Sequence, residues 1–522
     1  MIRPSNHDTE DMPVSFFARF RIAPALASLA LLASASGICL STARAAETSV
    51  VLTGVVRDSD KLSYRQLPFT VPAGVKKITV DVTWEGRDQG TILVLGVHDP
   101  ERMRGWGGGI KPHFVVAESF ATPSYLPGPL LAGVWNLDMT VASIRKGVSS
   151  PYKVKITFAD GPDAQVITDT PVRAEAGWYR GDLHNHTGHS DAKCASLSGK
   201  AAPCPLFLTL KAAVDHGLDF VVVSDHNVSD HVAEMAALAP YFDTLLQIPG
   251  REMTTWVGHY NLIGVTDFVE FRLGSPATPT INAMFDASKA TGALISVNHP
   301  ERSTGEDCLG CGWSAPDTDY GRVQLIEVAN GGVAADRGRF GDGPGSGVAF
   351  WEAQLNRGFH LTGVGGSDNH DSLSGVQGVS PVGAQSPVGY PTTVVHAEAL
   401  SQPAILQGIR SGRVFIDLEG AHPGRILDLV ARSGQATAVM GGTLARSTGG
   451  IQAQVRVAGA QGDRVELIVD GQVRPLLADP VLHTADQTLD FVAPDDAHWF
   501  RADVRRADGR RVLIGNPIYV EQ

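Results

Sequence analysis

The stretch Gly181-Asp182-Leu183-His184-Asn185-His186-Thr187-Gly188-His189-Ser190-Asp191 decides how the rest of the chain is interpreted. His184 and His186 are separated by one residue, and Asp191 follows shortly after them. On an extended backbone, side chains at i and i+2 point to the same face, so the two imidazoles can converge. Imidazoles and a carboxylate that converge at a strand end are a typical ligand set for a divalent metal. A lone His-x-His also arises by chance, so the interpretation depends on partners downstream.

Histidines and carboxylates recur after later apolar runs. These partners are Asp225 and His226 after Phe220–Val223, Glu252 after Leu245–Ile248, His259 within Gly258–Leu262, His299 after Leu294–Val297, and Asp368 and His370 after Leu361–Val364. Most of them lie just past the C-terminal end of a short β-branched run, which is where α/β barrels place their chemistry. This repetition predicts one shared metal site, since chance alone would not repeat the pattern at strand after strand.

The 522-residue length predicts two or three domains. Residues 46–170 alternate apolar and polar side chains between Gly- and Pro-rich turns, which predicts an N-terminal β-sandwich. Residues 171–415 alternate strand-like runs with helical ones, which predicts βα units and a barrel-like sheet. The helical runs, each ending near a glycine, are Leu206–His216, Ile281–Ala290 and Val348–Arg357. Strand patterns return in residues 421–522, where we expect a second sandwich.

Residues 1–45 are predicted to be a secretory signal peptide. Arg19 and Arg21 precede the apolar run Ile22–Leu40, and Ala43-Arg44-Ala45 provides small residues for cleavage. The alternative is a membrane anchor, but the run is rich in Ala and Ser and ends in a cleavable motif. We therefore expect a periplasmic or secreted protein that begins near Ala46, with no stable membrane insertion after cleavage.

Charge restricts the class of partner. Removing residues 1–45 takes four of 43 Lys and Arg residues and three of 55 Asp and Glu residues, which leaves a net charge of −13. Sequence-independent nucleic-acid binding requires a basic face, so no nucleic-acid partner is expected. An anionic small molecule can still bind where cations reverse the local potential.

The four cysteines beyond the signal peptide are expected to form two disulfides, because exported proteins meet an oxidising environment. Four cysteines allow three connectivities. Local pairing of Cys194 with Cys204 and of Cys308 with Cys311 is the hypothesis adopted. A redox role for Cys308-x-x-Cys311 and a four-cysteine zinc site are the alternatives.

Together these motifs resemble the polymerase-and-histidinol-phosphatase (PHP) metallohydrolases. The context is closer still to the exported, carbaryl-hydrolase-like (CehA/McbA-type) branch, which similarly has a β-domain ending like Tyr179–His184 and a tail like Asn516–Val520. The resemblance implies a distorted seven-stranded (β/α)7 TIM-like barrel flanked by the two sandwiches. It also implies two or three divalent metal ions, usually zinc, manganese or iron.

The resemblance also implies roles for individual residues. The implied ligands are His184, His186 and Asp368 for one metal, Glu252 bridging to a second that His299 completes, and Asp191, His226 and His370 at another position. His259 is a metal ligand in only some members. The implied catalytic residues are Glu252, Asp225 and His259, and Asp225 is expected to orient His226. Asn330 is either a support for the ligands or a turn residue.

The expected function is that of an exported metal-dependent hydrolase that uses a metal-activated hydroxide to cleave phosphoester bonds. Metal coordination lowers the pKa of water from ~15.7 towards ~7, which makes hydroxide available at neutral pH. One alternative is a carbamate or carboxylic (aryl) ester hydrolase, and another is a non-catalytic surface- or carbohydrate-binding protein. The expected partner is a small anionic or aryl ester. His189 and Arg302 are candidate substrate contacts, or else solvated loop residues.

Overall fold

The structure is a computed structural model. It describes residues 48–109, 111–161, 165–305, 308, 310–337, 341–374, 385–447, 449–475 and 479–521. The predicted signal peptide at 1–45 lies outside the described residues. The described part is multidomain and mostly β, with few helices. None of its helices has the length and apolarity needed to cross a membrane.

The strands are β1 (Thr48–Arg57), β2 (Ser63–Val71), β3 (Lys77–Trp84), β4 (Ile92–His98), β5 (Met103–Trp106), β6 (His113–Ala117), β7 (Gly133–Ser143), β8 (Ser149–Ala159), β9 (Gly177–Asp182), β10 (Lys193–Ala195), β11 (Ala201–Pro203), β12 (Phe220–Val223), β13 (Leu246–Thr255), β14 (Gly258–Ile263), β15 (Leu294–Val297), β16 (Leu325–Asn330), β17 (Thr362–Gly366), β18 (Thr392–Ala397), β19 (Val414–Asp417), β20 (Ile426–Ser433), β21 (Ala436–Val439), β22 (Thr443–Ala445), β23 (Ile451–Ala458), β24 (Arg464–Val469), β25 (Gln472–Arg474), β26 (Asp486–Ala493), β27 (Trp499–Arg505), β28 (Arg511–Gly515) and β29 (Ile518–Glu521). The helices are α1 (Leu206–Asp215), α2 (His231–Leu238), α3 (Ile281–Lys289), α4 (Gly331–Arg337), α5 (Val348–Leu355) and α6 (Gln402–Arg410).

The N-terminal strands form two four-stranded antiparallel sheets, in the orders β1-β8-β3-β6 and β2-β7-β4-β5. Alternate side chains along each strand are buried, as the period of two along a strand requires. Their shared core includes Phe114, Trp135, Leu137, Val154 and Ile156. Facing sheets of this kind keep the apolar face of each strand away from water.

The middle of the chain contributes to a mixed sheet. Strand β12 is parallel to β9 and β13, and β16 is parallel to β15 and β17. Strand β14, however, runs antiparallel between β13 and β15, because a two-residue turn joins β13 to β14 in place of a helix. Helices follow strands elsewhere, but the pairing does not describe a separate, all-parallel seven-stranded barrel.

The same sheet continues into the C-terminal part of the chain. Strand β18 pairs with β9 and β19, and β19 pairs with β28, which gives one sheet of fifteen strands. A four-stranded sheet, β21-β20-β23-β26, packs against its C-terminal end. The core between them includes Leu429, Val455, Phe491, Phe500 and Leu513. One of the two sheets of the C-terminal sandwich is therefore a continuation of the sheet that carries the site.

The two local cysteine pairs lie at disulfide distance. Cys194 and Cys204 join the hairpin of β10 and β11, with Cα atoms 4.9 Å apart. Cys308 and Cys311 close a short loop, with Cα atoms 5.7 Å apart. Both separations fall within the range of native disulfides.

Glu419 carries a pH-dependent contribution to stability where β19 leads into β20. It accepts hydrogen bonds from Arg506 and Arg425, and these bonds outweigh burial and lower its pKa to about 2. The ionised form therefore stabilises the fold above pH ~4.5, and this contribution is lost as the pH falls towards 2. We expect Glu419→Gln to lower stability at pH 7 by about 1 kcal/mol, the scale of solvent-screened pairs. Thermal unfolding should show the difference from wild type disappearing at pH 2, and Glu398→Gln, at an exposed site, should show none.

Candidate metal centre

The ligand-type side chains come from the ends of neighbouring strands of the large sheet. His184 and His186 follow β9, His226 follows β12, and Glu252 lies within β13. His259 lies in β14, His299 follows β15, and Asp368 and His370 follow β17. Backbone bridges pair Asn185 with Asn369 and His226 with Glu252, which holds the strand ends side by side. Residues far apart in sequence therefore meet at one edge of the sheet.

Two of these residues have a backbone conformation that L-amino acids rarely adopt. His299 has φ 27° and Asp368 has φ 51°. Hydrogen bonds hold both, since the backbone N–H of His299 donates to Glu327 at 2.9 Å and that of Asp368 donates to the His184 carbonyl at 2.7 Å. Non-glycine residues in this region concentrate at functional sites, where the surrounding structure offsets the strain.

Glu252 lies at the middle of the cluster. Its Oε2 is 3.4 Å from Nε2 of both His184 and His186 and 2.9 Å from Nδ1 of His226. Its Oε1 is 3.3 Å from Nε2 of His299 and 3.3 Å from Nδ1 of His259. The two oxygens of one carboxylate thus face two different sets of histidines, which is the arrangement a bridging carboxylate requires.

Asp368 and Asp191 complete the surroundings of the remaining histidines. Asp368 Oδ1 is 3.4 Å from His184 Nε2 and 3.2 Å from His186 Nε2. On the more exposed side, Asp191 Oδ1 is 3.4 Å from His370 Nε2 and 3.8 Å from His226 Nε2. Three overlapping groups of potential ligands result, each with its ligand atoms within 4.8 Å of one another: His184, Glu252 and His299; His184, His186 and Asp368; and His186, Asp191, His226 and His370.

The donor set fits divalent metal ions. Among the described residues, His184 Nε2, His186 Nδ1 and Glu252 Oε2 are buried without a hydrogen-bond partner. Buried polar atoms without partners are costly and call for a bound ion or water. The 3.2–3.4 Å separations also equal the edge of a tetrahedron with bonds of about 2.1 Å, roughly 3.4 Å. Nitrogen and carboxylate oxygen donors of this kind suit zinc, manganese or iron.

The charges of the carboxylates and histidines depend on one another. Burial alone would raise the pKa of Glu252, but His184 and His226 hold it well below its usual range. Burial likewise opposes ionisation of Asp368, yet His184, His186, His370 and Arg302 lower its pKa well below normal. Both carboxylates are therefore anionic and need positive charge beside them.

The histidines differ in how they respond to this anionic surrounding. Burial lowers the pKa of His184, but Glu327, Glu252 and Asp368 outweigh it and raise the pKa well above normal. Glu252 similarly overcomes burial and raises the pKa of His226 to about 9. Burial and the neighbouring His370 and His226 lower the pKa of His186 to about 4. The surrounding carboxylates thus favour the protonated, cationic forms of His184 and His226, whereas the ring of His186 stays neutral.

Hydrogen bonds orient the rings. His184 Nδ1 lies 3.1 Å from Glu327 Oε1, and His299 Nδ1 lies 3.0 Å from the Cys311 carbonyl. Because a carboxylate and a carbonyl accept only, each Nδ1 is the donor, and this turns the Nε2 edge of each ring towards Glu252. His370 Nδ1 donates in the same way to the Asp368 carbonyl at 2.9 Å. Such contacts fix the tautomer and orientation of metal-binding histidines.

Asp225 occupies a different place from the one predicted. Its carboxylate accepts hydrogen bonds from Thr187 N and Oγ1 at 2.8 and 2.7 Å and from Ser190 Oγ at 2.6 Å. Among the described contacts none joins it to the His226 ring, whose Nδ1 instead lies 2.6 Å from Thr254 Oγ1. The expected orientation of His226 by Asp225 is therefore wrong, and Asp225 holds the turn that carries Asp191.

Two side chains occupy the rim. Arg302, about a quarter exposed, donates from Nη1 to Asp368 Oδ2 at 2.8 Å. The ring nitrogens of His189 lie 2.8 Å from carboxylate oxygens of Asp230 and Glu234, at α2. Arg302 is thus beside the centre, whereas His189 belongs to a surface ion-pair cluster.

Three supporting residues were not predicted from the sequence. Glu327 accepts hydrogen bonds from the His184 ring, from the backbone N–H of His299 and, at 2.9 Å, from Asn330 Nδ2. Asp182 accepts from the backbone of His184, Ser367 and Gly389 and so ties the loops after β9 and β17 together. Asn298 donates to Glu252 Oε1 at 2.9 Å. An acidic residue in the apolar run Leu325–Asn330 was the one available signal for Glu327.

No protein-family model matches this sequence, and no curated protein matches it. Among solved structures, a two-domain protein from Bacteroides vulgatus that contains a predicted PHP-like metal-dependent phosphoesterase aligns over 66% of this chain and 96% of its own, at 17% identity and a TM-score of 0.32. PsfC from Pseudomonas syringae aligns over 45% of this chain and 89% of its own, at 19% identity and a TM-score of 0.28. At these TM-scores the likenesses carry no argument about this chain.

Proposed function

We propose that this chain is an exported metal-dependent hydrolase that cleaves phosphoester bonds of a small anionic substrate. The observation that carries the proposal is the set of three overlapping ligand groups, of which two contain His184 and two contain His186. Glu252 places one oxygen towards each side of this set. Burying so many carboxylates and imidazoles in one place is costly without cations, which supports bound metal ions.

The residues that would hold two or three divalent ions are the three groups described above, with His259 as a further donor beside Glu252. Zinc, manganese or iron in these positions would supply Lewis acidity and an activated water at neutral pH. The chain itself contributes orientation. Glu327 and the Cys311 carbonyl hold two imidazoles with Nε2 turned inwards.

The position of Arg302 favours an anionic substrate over a neutral one. Its guanidinium lies at the rim of the centre and is partly exposed, while its contact with Asp368 holds it in place. A guanidinium of this kind binds phosphate oxygens through charge-assisted hydrogen bonds. A phosphoester is therefore favoured over the neutral carbamate or aryl ester alternatives, for which a fixed cation at the rim has no evident use.

Export rests on the apolar N-terminal run, and the two cysteine pairs fit an oxidising compartment. N-terminal sequencing of the protein from its native host should find a chain that begins near Ala46. An intact Met1 on the soluble protein would reject export while leaving the hydrolase proposal untouched.

The proposal is tested by metal analysis followed by a substrate panel. Purified protein should contain at least two equivalents of divalent metal and should hydrolyse phosphomonoesters or phosphodiesters after reloading. Preferential hydrolysis of aryl esters or carbamates would replace the phosphoester assignment. Full metal content with no turnover of any ester would favour a binding protein, and metal-free protein would overturn the centre itself.

The role of Arg302 gives a prediction of its own. Arg302→Met should raise KM for a phosphomonoester about tenfold or more, because a hydrogen bond to a charged group contributes roughly 1.5–3 kcal/mol. Hydrolysis of a neutral aryl ester should change far less. Arg456→Met is the matched control, since it breaks an exposed ion pair with Asp486 in the C-terminal strands. Equal losses on both substrates would show that Arg302 acts through Asp368 and not on the substrate.

A further inference from the structure

A loop closed by a disulfide leaves the metal centre after β15 and returns to it. It begins at the potential ligand His299, and its two ends lie side by side because Trp313 N donates to the Pro300 carbonyl at 2.8 Å. The disulfide between Cys308 and Cys311 lies in the returning part of the loop. The crosslink is therefore close in space to the ligand at which the loop starts.

The returning part of the loop orients the His299 ring. The carbonyl of Cys311 accepts a hydrogen bond from His299 Nδ1 at 3.0 Å. Nε2 of the same ring lies 3.3 Å from Glu252 Oε1. Cys311 is one half of the disulfide, so the crosslink restrains the residue that orients a potential metal ligand. Loss of an orienting contact of this kind typically lowers metal affinity 10- to 100-fold.

The backbone on both sides of Cys311 is closely packed. At Gly310 a Cβ atom would collide with the carbonyl oxygen of Thr255, at the end of β13, and at Gly312 it would collide with the carbonyl oxygen of Arg302. Only glycine fits where two backbones approach so closely. A shift of Cys311 would therefore also disturb the β13–β14 hairpin and the backbone that carries Arg302.

The two disulfides differ in their exposure to solvent. Cys308 is half-buried, whereas Cys311, Cys194 and Cys204 are each at most 4% exposed. Thiol–disulfide exchange requires a thiolate to reach one of the two sulfur atoms, so access controls its rate. The pair of Cys308 and Cys311 is therefore the one that a reductant in solution attacks first, and the attack falls on Cys308.

We propose that the Cys308–Cys311 pair is a redox site that controls metal binding at His299. The oxidised pair holds the Cys311 carbonyl against the His299 ring and gives full affinity, whereas the reduced pair lets the carbonyl move and lowers it. This inference rests on the metal centre of the proposed function. In an exported chain the pair is oxidised only after export, so full metal affinity arises outside the reducing cytosol.

The reductant is a dithiol. One of its thiolates attacks Cys308 Sγ, the bond between the two cysteine sulfurs breaks, and Cys311 leaves as a thiolate that takes up a proton. The second thiolate of the dithiol then attacks the dithiol sulfur of the mixed disulfide and releases Cys308, which also takes up a proton. The protein gains two electrons and two protons, and the dithiol becomes a disulfide.

The test is a calorimetric titration of the chelator-treated chain with Mn²⁺, before and after reduction by dithiothreitol that is then removed under argon. Mn²⁺ is the probe because thiolates are poor ligands for it, so the freed cysteines do not compensate for the loss. Reduction should weaken binding of one Mn²⁺ equivalent about tenfold or more, and reoxidation should restore it. Alkylation and mass spectrometry should find Cys308 and Cys311 labelled while Cys194 and Cys204 stay unlabelled.

Two variants show where the effect arises. The double variant Cys308→Ser, Cys311→Ser should bind Mn²⁺ as weakly as the reduced wild type and should not respond to dithiothreitol. His299→Ala should also bind weakly, with no further loss on reduction, because the ligand through which the pair acts is gone. A disulfide with a merely structural role would instead weaken binding on reduction in both the wild type and His299→Ala.

Equal Mn²⁺ affinities of the oxidised and reduced wild type would overturn the redox site and leave the metal centre standing. Resistance of the Cys308–Cys311 pair to dithiothreitol in the folded chain would overturn it as well. If the double serine variant does not fold, the comparison of the reduced wild type with His299→Ala decides. An oxidised wild type that binds no Mn²⁺ would overturn the metal centre and the redox site together.

Discussion

Glu252→Gln is expected to remove most bound metal and most hydrolysis together. Glu252 is buried and anionic, and its two oxygens face the separate groups that contain His184 and His299. Glutamine keeps the shape but loses the charge and one of the two acceptors. Removing one charged partner from a buried cluster costs about 3–5 kcal/mol, which corresponds to roughly a 10²- to 10⁴-fold loss of metal affinity.

Metal content by mass spectrometry and turnover of the best phosphoester measure this prediction. The thermal transitions of the two sandwiches should persist, because their cores do not include Glu252. Glu398→Gln, at an exposed position, is the control. Wild-type activity and wild-type metal content in Glu252→Gln would exclude the bridging role.

Glu327→Gln is expected to weaken metal binding 10- to 100-fold without removing any ligand. Oε1 of Glu327 accepts from His184, and Oε2 accepts from the His299 backbone and Asn330. A glutamine has one oxygen, so its NH2 group must face one of these donors. Either the His184 ring or the strained backbone at His299 then loses a hydrogen bond. Loss of such a contact typically lowers metal affinity 10- to 100-fold.

Competition with a chelator provides the measurement, since it reports affinity independently of turnover. Glu234→Gln is the matched control, because Glu234 also contacts a histidine, His189, outside the ligand groups. Unchanged chelator resistance in Glu327→Gln would show that the His184 ring is held by the metal alone.

The local signals in the sequence were strong where period and residue type act together. Alternation along the strands predicted the N-terminal sheets, since the side chains of a strand reach opposite faces in turn. The helices begin at Leu206, Ile281 and Val348 as expected. Gly217 and Gly358 follow two of them with φ of 76° and 87°, the conformation that glycine adopts without strain.

The sequence could not predict the pairing of strands that are distant along the chain. The antiparallel insertion of β14 and the pairing of β19 with β28 depend on long-range contacts that leave no periodic signal. The expected distorted (β/α)7 TIM-like barrel is not shown by the strand pairing, which gives a mixed sheet of fifteen strands.

The sequence by itself determined which residue types gather for the centre, because histidines and carboxylates after apolar runs have few other uses. Only the tertiary structure decided which of them touch. It showed that Asp225 contacts Thr187 and that Glu327 orients the His184 ring. A hydrogen bond requires atoms within about 3 Å, and the sequence fixes residue order but not that distance.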